Sequence, residues 1–481
     1  MAEVPKWLRI ALQNPEIPSF LFYFSFGFFN PAQQSFIYQR ICQYNYGSTN
    51  DENICAHIDT APELKDEEAL VQDSFSRYSI YMQVAALLPT IFVATIYGSW
   101  CDDFSHRLPM AIAHLGGLLT TLIYLLVSLL PIDAINPEYV GLATLFQGLG
   151  GQSVSVITVA LSHAAQTSPP TWLLIRFGII ETCITIGEMT GYLFSAFVFN
   201  GGKDYFSCFV VQMAINCYAI FYSFTMLPDL HKDKKMSDFC SLQSPWKRLK
   251  DGLIMVVKRP EHRTKEKHKQ MLVALILFGC ATGFTGGTSL TQVIYAFLTL
   301  DPISFTPFQY SIYQAVFMGF ISFGLLAILP LLRSSLLPRI FPLSEATIGL
   351  LSLFSKISAH LVLGLGGFFP TFSPWIFCVV NGMATFVYVT LRSALSKLTE
   401  PSEHGQIFAI SGLLQASFGM LASVAYNYFY GFIVVSSPGV TSLNIFIHGY
   451  IFIFVALLCT FLTIIFSWLG SQKIENWSFK S

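Results

Sequence analysis

Arg176 to Tyr192 reads RFGIIETCITIGEMTGY, which has the apolar character of a membrane-spanning helix except at two carboxylates, Glu181 and Glu188. An acidic residue at the centre of a spanning helix costs roughly 2.5–3.5 kcal/mol on insertion scales, so each marks a functional site by default. Glu181, Thr185, Glu188 and Tyr192 fall at i, i+4, i+7 and i+11 and form one polar stripe. If the crossing begins near Thr171, Glu181 lies roughly 15 Å deep and Glu188 roughly 25 Å deep at 1.5 Å per residue. Glu181 is then mid-membrane and Glu188 nearer the external mouth. Gly187 and Gly191 form GxxxG on the same helix, a pattern that predicts close helix packing.

The rest of the chain fits a bilayer. Of 481 residues, 53% are hydrophobic and 11% charged, against about 25% charged in ordinary soluble domains. About twelve stretches are long enough to span: 17–40, 76–99, 109–131, 139–162, 172–199, 205–227, 271–297, 309–332, 344–366, 375–394, 405–433 and 445–469. MAEVPKWLRIALQNPE lacks the apolar core of a cleavable signal, so the first helix is expected to direct insertion. Lys and Arg concentrate on one side, at Lys6, Arg9, Arg107, Arg176, Arg333, Arg339, Arg392 and through the 228–270 loop, which predicts cytoplasmic termini. The net charge of −1 gives no sign of a nucleic-acid partner.

This divides the chain into an N-terminal six-helix bundle (1–227), a basic cytoplasmic linker (228–270) and a C-terminal six-helix bundle with a short tail (271–481). In the linker, Trp246, Leu249, Leu253, Ile254 and Val257 recur opposite Lys247, Arg248, Lys250 and Lys258, the pattern of an amphipathic helix on the inner leaflet. The external loop 42–75 is acidic. It holds Cys42 and Cys55, whose alternatives are a disulfide or two free thiols.

Polar residues inside spans mark a pathway. Asn30, Gln33, Gln34 and Tyr38 recur at helical spacing in helix 1, either lining a cavity or bonding between helices. Helix 4 contributes Gln152, and helix 7 a Thr-rich run with Gln292 around Gly286-Gly287 that reads as a flexible gate. Asn381, Thr385, Tyr388 and Arg392 align on helix 10, with Arg392 expected at the cytoplasmic mouth as a bidentate carboxylate holder or a topological anchor. Lys356 and His360 lie one turn apart near the middle of helix 9, where two buried basic groups need water, a carboxylate or a substrate anion unless Lys356 snorkels or pairs structurally, and His404 is expected to be exposed. Gly98, Asp102 and Arg107, in GSWCDDFSHRLP, have the spacing of a conformational latch between helices or of simple loop polarity.

That last segment resembles the G-x-x-x-D-x-x-G-R-R signature of the major facilitator superfamily, with Ser105 and His106 in place of its Gly and Arg. Several others resemble solute carrier family 46: Phe20, Pro31, Gln34, Tyr38, Arg40 and Cys42 in helix 1, GSWCD at 98–102, RFGIIE at 176–181 and RSALSKLTEPSEHGQIFA at 392–409. The resemblance implies a major facilitator fold and proton-coupled import of small organic anions, with Glu181 in proton coupling and Arg392 in substrate handling. The histidine that functions in helix 7 of the folate-carrying member has no counterpart here.

The expected machine is an all-α, two-bundle transporter of the plasma or endolysosomal membrane that works by alternating access. Its coupling ion is the proton, with no other cofactor and no metal. A proton-antiporting exporter and a non-transporting receptor are the alternatives. No metal-ligand cluster or nucleophile–base pair points to an enzyme.

Overall fold

A computed structural model describes the chain except residues 1–14, 47–54, 56–63, 104, 169–172, 201–203, 228–249, 251–253, 255, 300–302, 334–342, 401–402, 437–442, 473 and 475–481. Helices follow the apolar runs in order: α1 Glu16–Tyr46, α2 Lys65–Asp103, α3 Arg107–Leu129, α4 from Pro137 to Thr167, α5 Leu173–Asn200 and α6 Tyr205–Thr225. The second half comprises α7a Lys265–Gly283, α7b Gly287–Thr299, α8 from Pro307 to Arg333, α9 Glu345–Gly364, α10 from Ser373 to Leu398, α11 His404–Ser436 and α12 Leu443–Ser471. Short polar caps start several of them. Thr306 and Gln309 form a capping box ahead of α8, with Pro307 at its first position, and Ser344 caps α9 by accepting from Thr347 N.

Among the described residues, nine helices are long and apolar enough to cross a bilayer. The remaining three segments, α1, α5 and α7, are those interrupted by amides, by the Glu181–Glu188 stripe and by a break. The expected boundaries shift most at α2, whose 39 residues reach roughly 58 Å at 1.5 Å per residue. Its outer turns come from the stretch expected to be loop. Asp66, Glu67 and Glu68 in the first turn suit a helix N-terminus, and Val71 and Phe75 are buried.

Within the first half α1 packs on α5 and α3 on α6; within the second α9 packs on α12 and α7a on α11 and α10. The halves meet where α2 packs on α11 and α5 on α8. The GxxxG pair of α5 does close packing: a Cβ on Gly191 would stand 2.3 Å from Phe24 O of α1, and one on Gly187 2.7 Å from Phe20 O. This contact fixes the rotation of the glutamate stripe against α1.

Among the described residues, four helices are broken at cavity depth. In α4, Gly151 takes φ +77° and Gln152 φ +48°, left-handed values that favour glycine at the first. Between α7a and α7b the chain turns through Phe284–Gly286, and Tyr426 OH donates to Phe284 O at 2.9 Å. A π turn at Gly324–Ile328 in α8 lies against a 3-10 turn at Asn381–Met383 in α10. A Cβ on Gly324 would stand 2.3 Å from Gly382 O.

Parts of the expected picture lie outside the described residues. These are most of the amphipathic segment in the linker, residues 47–54 and 56–63 of the acidic loop, and the Asp102 side chain. Arg107, the other end of the expected latch, donates from Nε to Leu227 O at 2.6 Å at the end of α6.

Candidate functional site

A cavity of about 250 Å³ lies between the two halves. The α5 stripe faces it with Glu181, Thr185, Glu188 and Tyr192, and the α10 stripe with Asn381, Thr385, Tyr388 and Arg392. Asn30, Gln152 and Gln292 line it as well. Gln34 and Tyr38 are not among the lining residues. Gln34 Nε2 instead donates within α1 to Asn30 Oδ1 at 3.0 Å, and Gln72 Nε2 of α2 reaches Tyr38 OH at 3.5 Å, so Tyr38 takes the interhelical alternative.

Glu181 and Arg392 form an ion pair between α5 and α10. Both are buried, and the Arg392 guanidinium also stands 5.2 Å from the Phe278 ring. Arg392, expected at the cytoplasmic mouth, is therefore a buried residue of the cavity wall paired with the α5 carboxylate. The pair leaves polar capacity unused: Arg392 Nε, Asn381 Oδ1 and Thr385 Oγ1 are buried without a hydrogen-bond partner among the described residues. Beside it, Ser322 Oγ of α8 donates to Thr185 Oγ1 of α5 at 2.7 Å, a second polar tie between the halves.

Lys356 and His360 also line the cavity, although α9 packs behind α10 against α12. Lys356 Nζ donates to Tyr388 OH and, at 3.3 Å, to Ala281 O of α7a, and it stands 4.4 Å from the centre of the Tyr388 ring. His360 Nδ1 donates to Lys356 O at 2.8 Å, which orients the ring edge-on to Phe377. Gln33 of the α1 set lines the cavity too, and further lining amides, Gln83, Gln147, Gln314 and Gln415, come from four other helices. The signal that finds them is an isolated amide in an apolar span. Phe22, Phe26, Ile157, Phe317 and Phe377 supply apolar wall.

Contacts between the halves lie on both sides of this cavity. Toward the end that carries the disulfide between Cys42 and Cys55, with Cα atoms 5.8 Å apart, Phe75 meets Tyr295 at 5.7 Å and Gln83 Nε2 donates to Gln292 Oε1 at 3.0 Å. Toward the end where Arg176 pairs with Glu16 at 2.6 Å, Phe177 meets Phe408 edge-on at 5.6 Å. His404, expected to be exposed, is 5% exposed there and lies within hydrogen-bond distance of Ser396 O. It is buried because α11 begins at His404 itself and packs back on the end of α10.

Residues 18–424 match the family profile described as Major Facilitator Superfamily. The chain is 23% identical over 417 residues to the proton-coupled folate transporter of Bos taurus, covering 85% of this chain and 84% of that one. It is 23% identical over 457 residues to the lysosomal proton-coupled steroid conjugate and bile acid symporter of Homo sapiens, covering 91% of each. Both relatives are solute carrier family 46 proteins, the group that the 392–409 segment resembles. In fold, the chain is similar to the human organic anion transporter MFSD10, at TM-score 0.62 and 14% identity over 96% of this chain and 100% of that one. With its helical order and central cavity, the profile match over most of its length establishes that this chain belongs to the major facilitator superfamily and is a multi-pass membrane transporter, not an enzyme.

Proposed function

We propose that this protein imports organic anions together with protons, with Glu181 as the proton carrier and Arg392 as its partner in substrate handling. The observation that carries the reading is the buried ion pair joining the two halves across the cavity. Proton uptake by Glu181 neutralises the carboxylate and leaves Arg392 charged and in need of an anion. A substrate carboxylate, sulfate or phosphate supplies that anion. The loaded cavity is then free of the tie that held the halves in one arrangement, and rocking exposes it to the other face. Proton loss to the cytosol lets Glu181 reclaim Arg392 and displaces the substrate.

The groups around Glu181 suit this cycle. Arg392 faces it from α10, while Glu188 and Tyr23, on α5 and α1, line the same cavity. The relatives named above carry folate and steroid conjugates, ring systems bearing an anionic group, and a cavity that mixes phenyl rings with amides fits that class. Cytoplasmic termini, and the plasma or endolysosomal membrane, belong to the same reading and rest on the distribution of Lys and Arg.

The test is uptake of folate, estrone sulfate and taurocholate by the full chain in proteoliposomes, at acidic and neutral external pH. Glu181→Gln is expected to abolish the pH dependence while leaving substrate exchange in the absence of a gradient. Unchanged acid-stimulated uptake by that variant overturns the proposal, and an imposed gradient of either sign separates import from antiport.

A further inference from the structure

The geometry points to Lys356 as a second cation that, in addition to Arg392, holds the substrate's anionic group, and to that contact as the link between substrate and the break in α7. Resting on the transport reading above, this assigns a role to a helix that otherwise packs at the periphery.

The cavity holds two cations from the second half. Arg392 is matched by Glu181, whereas Lys356, 3% exposed, makes no ion pair among the described residues. Its contacts are a phenol, a backbone carbonyl and the face of an aromatic ring. Neutral contacts of this kind orient an ammonium but do not balance its charge, and a buried ammonium is costly without a counter-ion. A packing role for position 356 needs no charge. The length of the side chain does something packing cannot: from α9 it passes α10 and brings an ammonium to the cavity wall. The ion that completes it is an anion arriving through the cavity. Near Lys356 the wall includes Phe377 and His360, which receive the apolar body and a polar substituent of a ring-containing anion.

The same ammonium is tied to the gate. Ala281 O, in the last turn of α7a, accepts from Thr285 Oγ1 at 2.5 Å, from Tyr388 OH at 3.3 Å and from Lys356 Nζ. Cations at a helix C-terminus stabilise its carbonyls. An anion that draws Lys356 toward itself loosens the carbonyl end at which the chain turns through Phe284–Gly286. Binding and hinge motion then share one side chain.

The test uses the full chain in proteoliposomes and radiolabelled estrone sulfate, with unlabelled estrone sulfate and uncharged estrone as competitors. The wild type is expected to prefer the sulfate. Lys356→Gln is expected to raise KM about tenfold, the usual effect of losing a charge-assisted hydrogen bond. It should also narrow the difference in potency between the two competitors, while uptake still rises with acid. Lys356→Arg is expected to keep the preference for the anion. A wild-type preference retained by Lys356→Gln overturns the inference whatever happens to its rate or thermal stability, and leaves Lys356 as a cap on α7a. Should the glutamine variant not reach the membrane, peptide mass spectrometry after amine acylation of the wild type decides. Estrone sulfate, and not estrone, is expected to shield Lys356, and equal labelling with either overturns the assignment. No acid-driven uptake of estrone sulfate, taurocholate or folate by the wild type removes the transport reading and this inference with it.

Discussion

Glu181 of α5 and Arg392 of α10 are each other's counter-charge, so the two halves of the chain share one buried ion pair at the cavity wall. Breaking a buried pair from one side strands the other charge, at about 3–5 kcal/mol, whereas removing both is often close to neutral. Arg392→Gln is therefore expected to lower thermal stability clearly, and Glu181→Gln with Arg392→Gln together to recover most of the loss. Unfolding midpoints of the purified variants measure this. Losses that simply add would show that the two charges do not stabilise one another.

Two ring contacts set a second expectation. Phe75 and Tyr295 join α2 to α7b on one side of the cavity, and Phe177 and Phe408 join α5 to α11 on the other. Aromatic pairs contribute about 0.5–1.5 kcal/mol beyond area burial, or about 2- to 13-fold in a two-state population. Phe408→Ala should favour opening at the Arg176 end, and Tyr295→Ala at the disulfide end. Impermeant maleimide applied to a cysteine at Thr285, from each face separately, reads the two populations. Shifts in the same direction for both variants would refute opposed gates.

The α5 and α10 stripes were legible in sequence because burying Glu181, Glu188 or Arg392 against lipid is costly and helical period then names the residues beside them. On α1 the period was not enough. Asn30 and Gln33 line the cavity, while Gln34, one residue and about 100° further round, bonds Asn30 instead. For Lys356 the sequence leaves a substrate anion and a structural role both open, because a helix's rank in the bundle says where its axis lies and nothing of how far a lysine reaches past its neighbour. The break in α7 had a signal in Gly286-Gly287. The turn at Asn381–Met383 had none, since it depends on the approach of Gly324 from α8.

His404 predicts a pH effect outside the membrane spans. It lies two residues before the apolar stretch Gln406–Ile433. Burial holds its pKa below the ordinary histidine value, and this outweighs the contacts with Ser396 O and Glu403 that act the other way. A depressed folded pKa means that the unfolded chain binds the proton first. As pH falls below the unfolded value of about 6.5, stability declines until the folded pKa is passed, and it is fully present above that window. His404→Gln should flatten the acid limb of unfolding midpoint against pH. An unchanged slope would assign that limb to other groups.

The disulfide joins sequence to topology. Cys42 ends a buried stretch of α1 and Cys55 lies 13 residues on, so oxidation closes a short loop at one end of the bundle. Loops of about this length are stabilised by roughly 3 kcal/mol when cross-linked, and Cys42→Ser with Cys55→Ser should lose about that much in thermal stability while keeping transport. Arg40, two residues before Cys42, donates to Leu130 O and to Pro131 O at 2.8 Å, which anchors the end of α1 without the cross-link. Because the bridge forms only where the compartment is oxidising, it also reports which face this end meets. In cells lysed and denatured without reductant, polyethylene glycol maleimide should leave Cys42 and Cys55 unlabelled, and it should label both once a reductant is added. Labelling of both without reductant would put this end in the cytosol and reverse the orientation read from Lys and Arg.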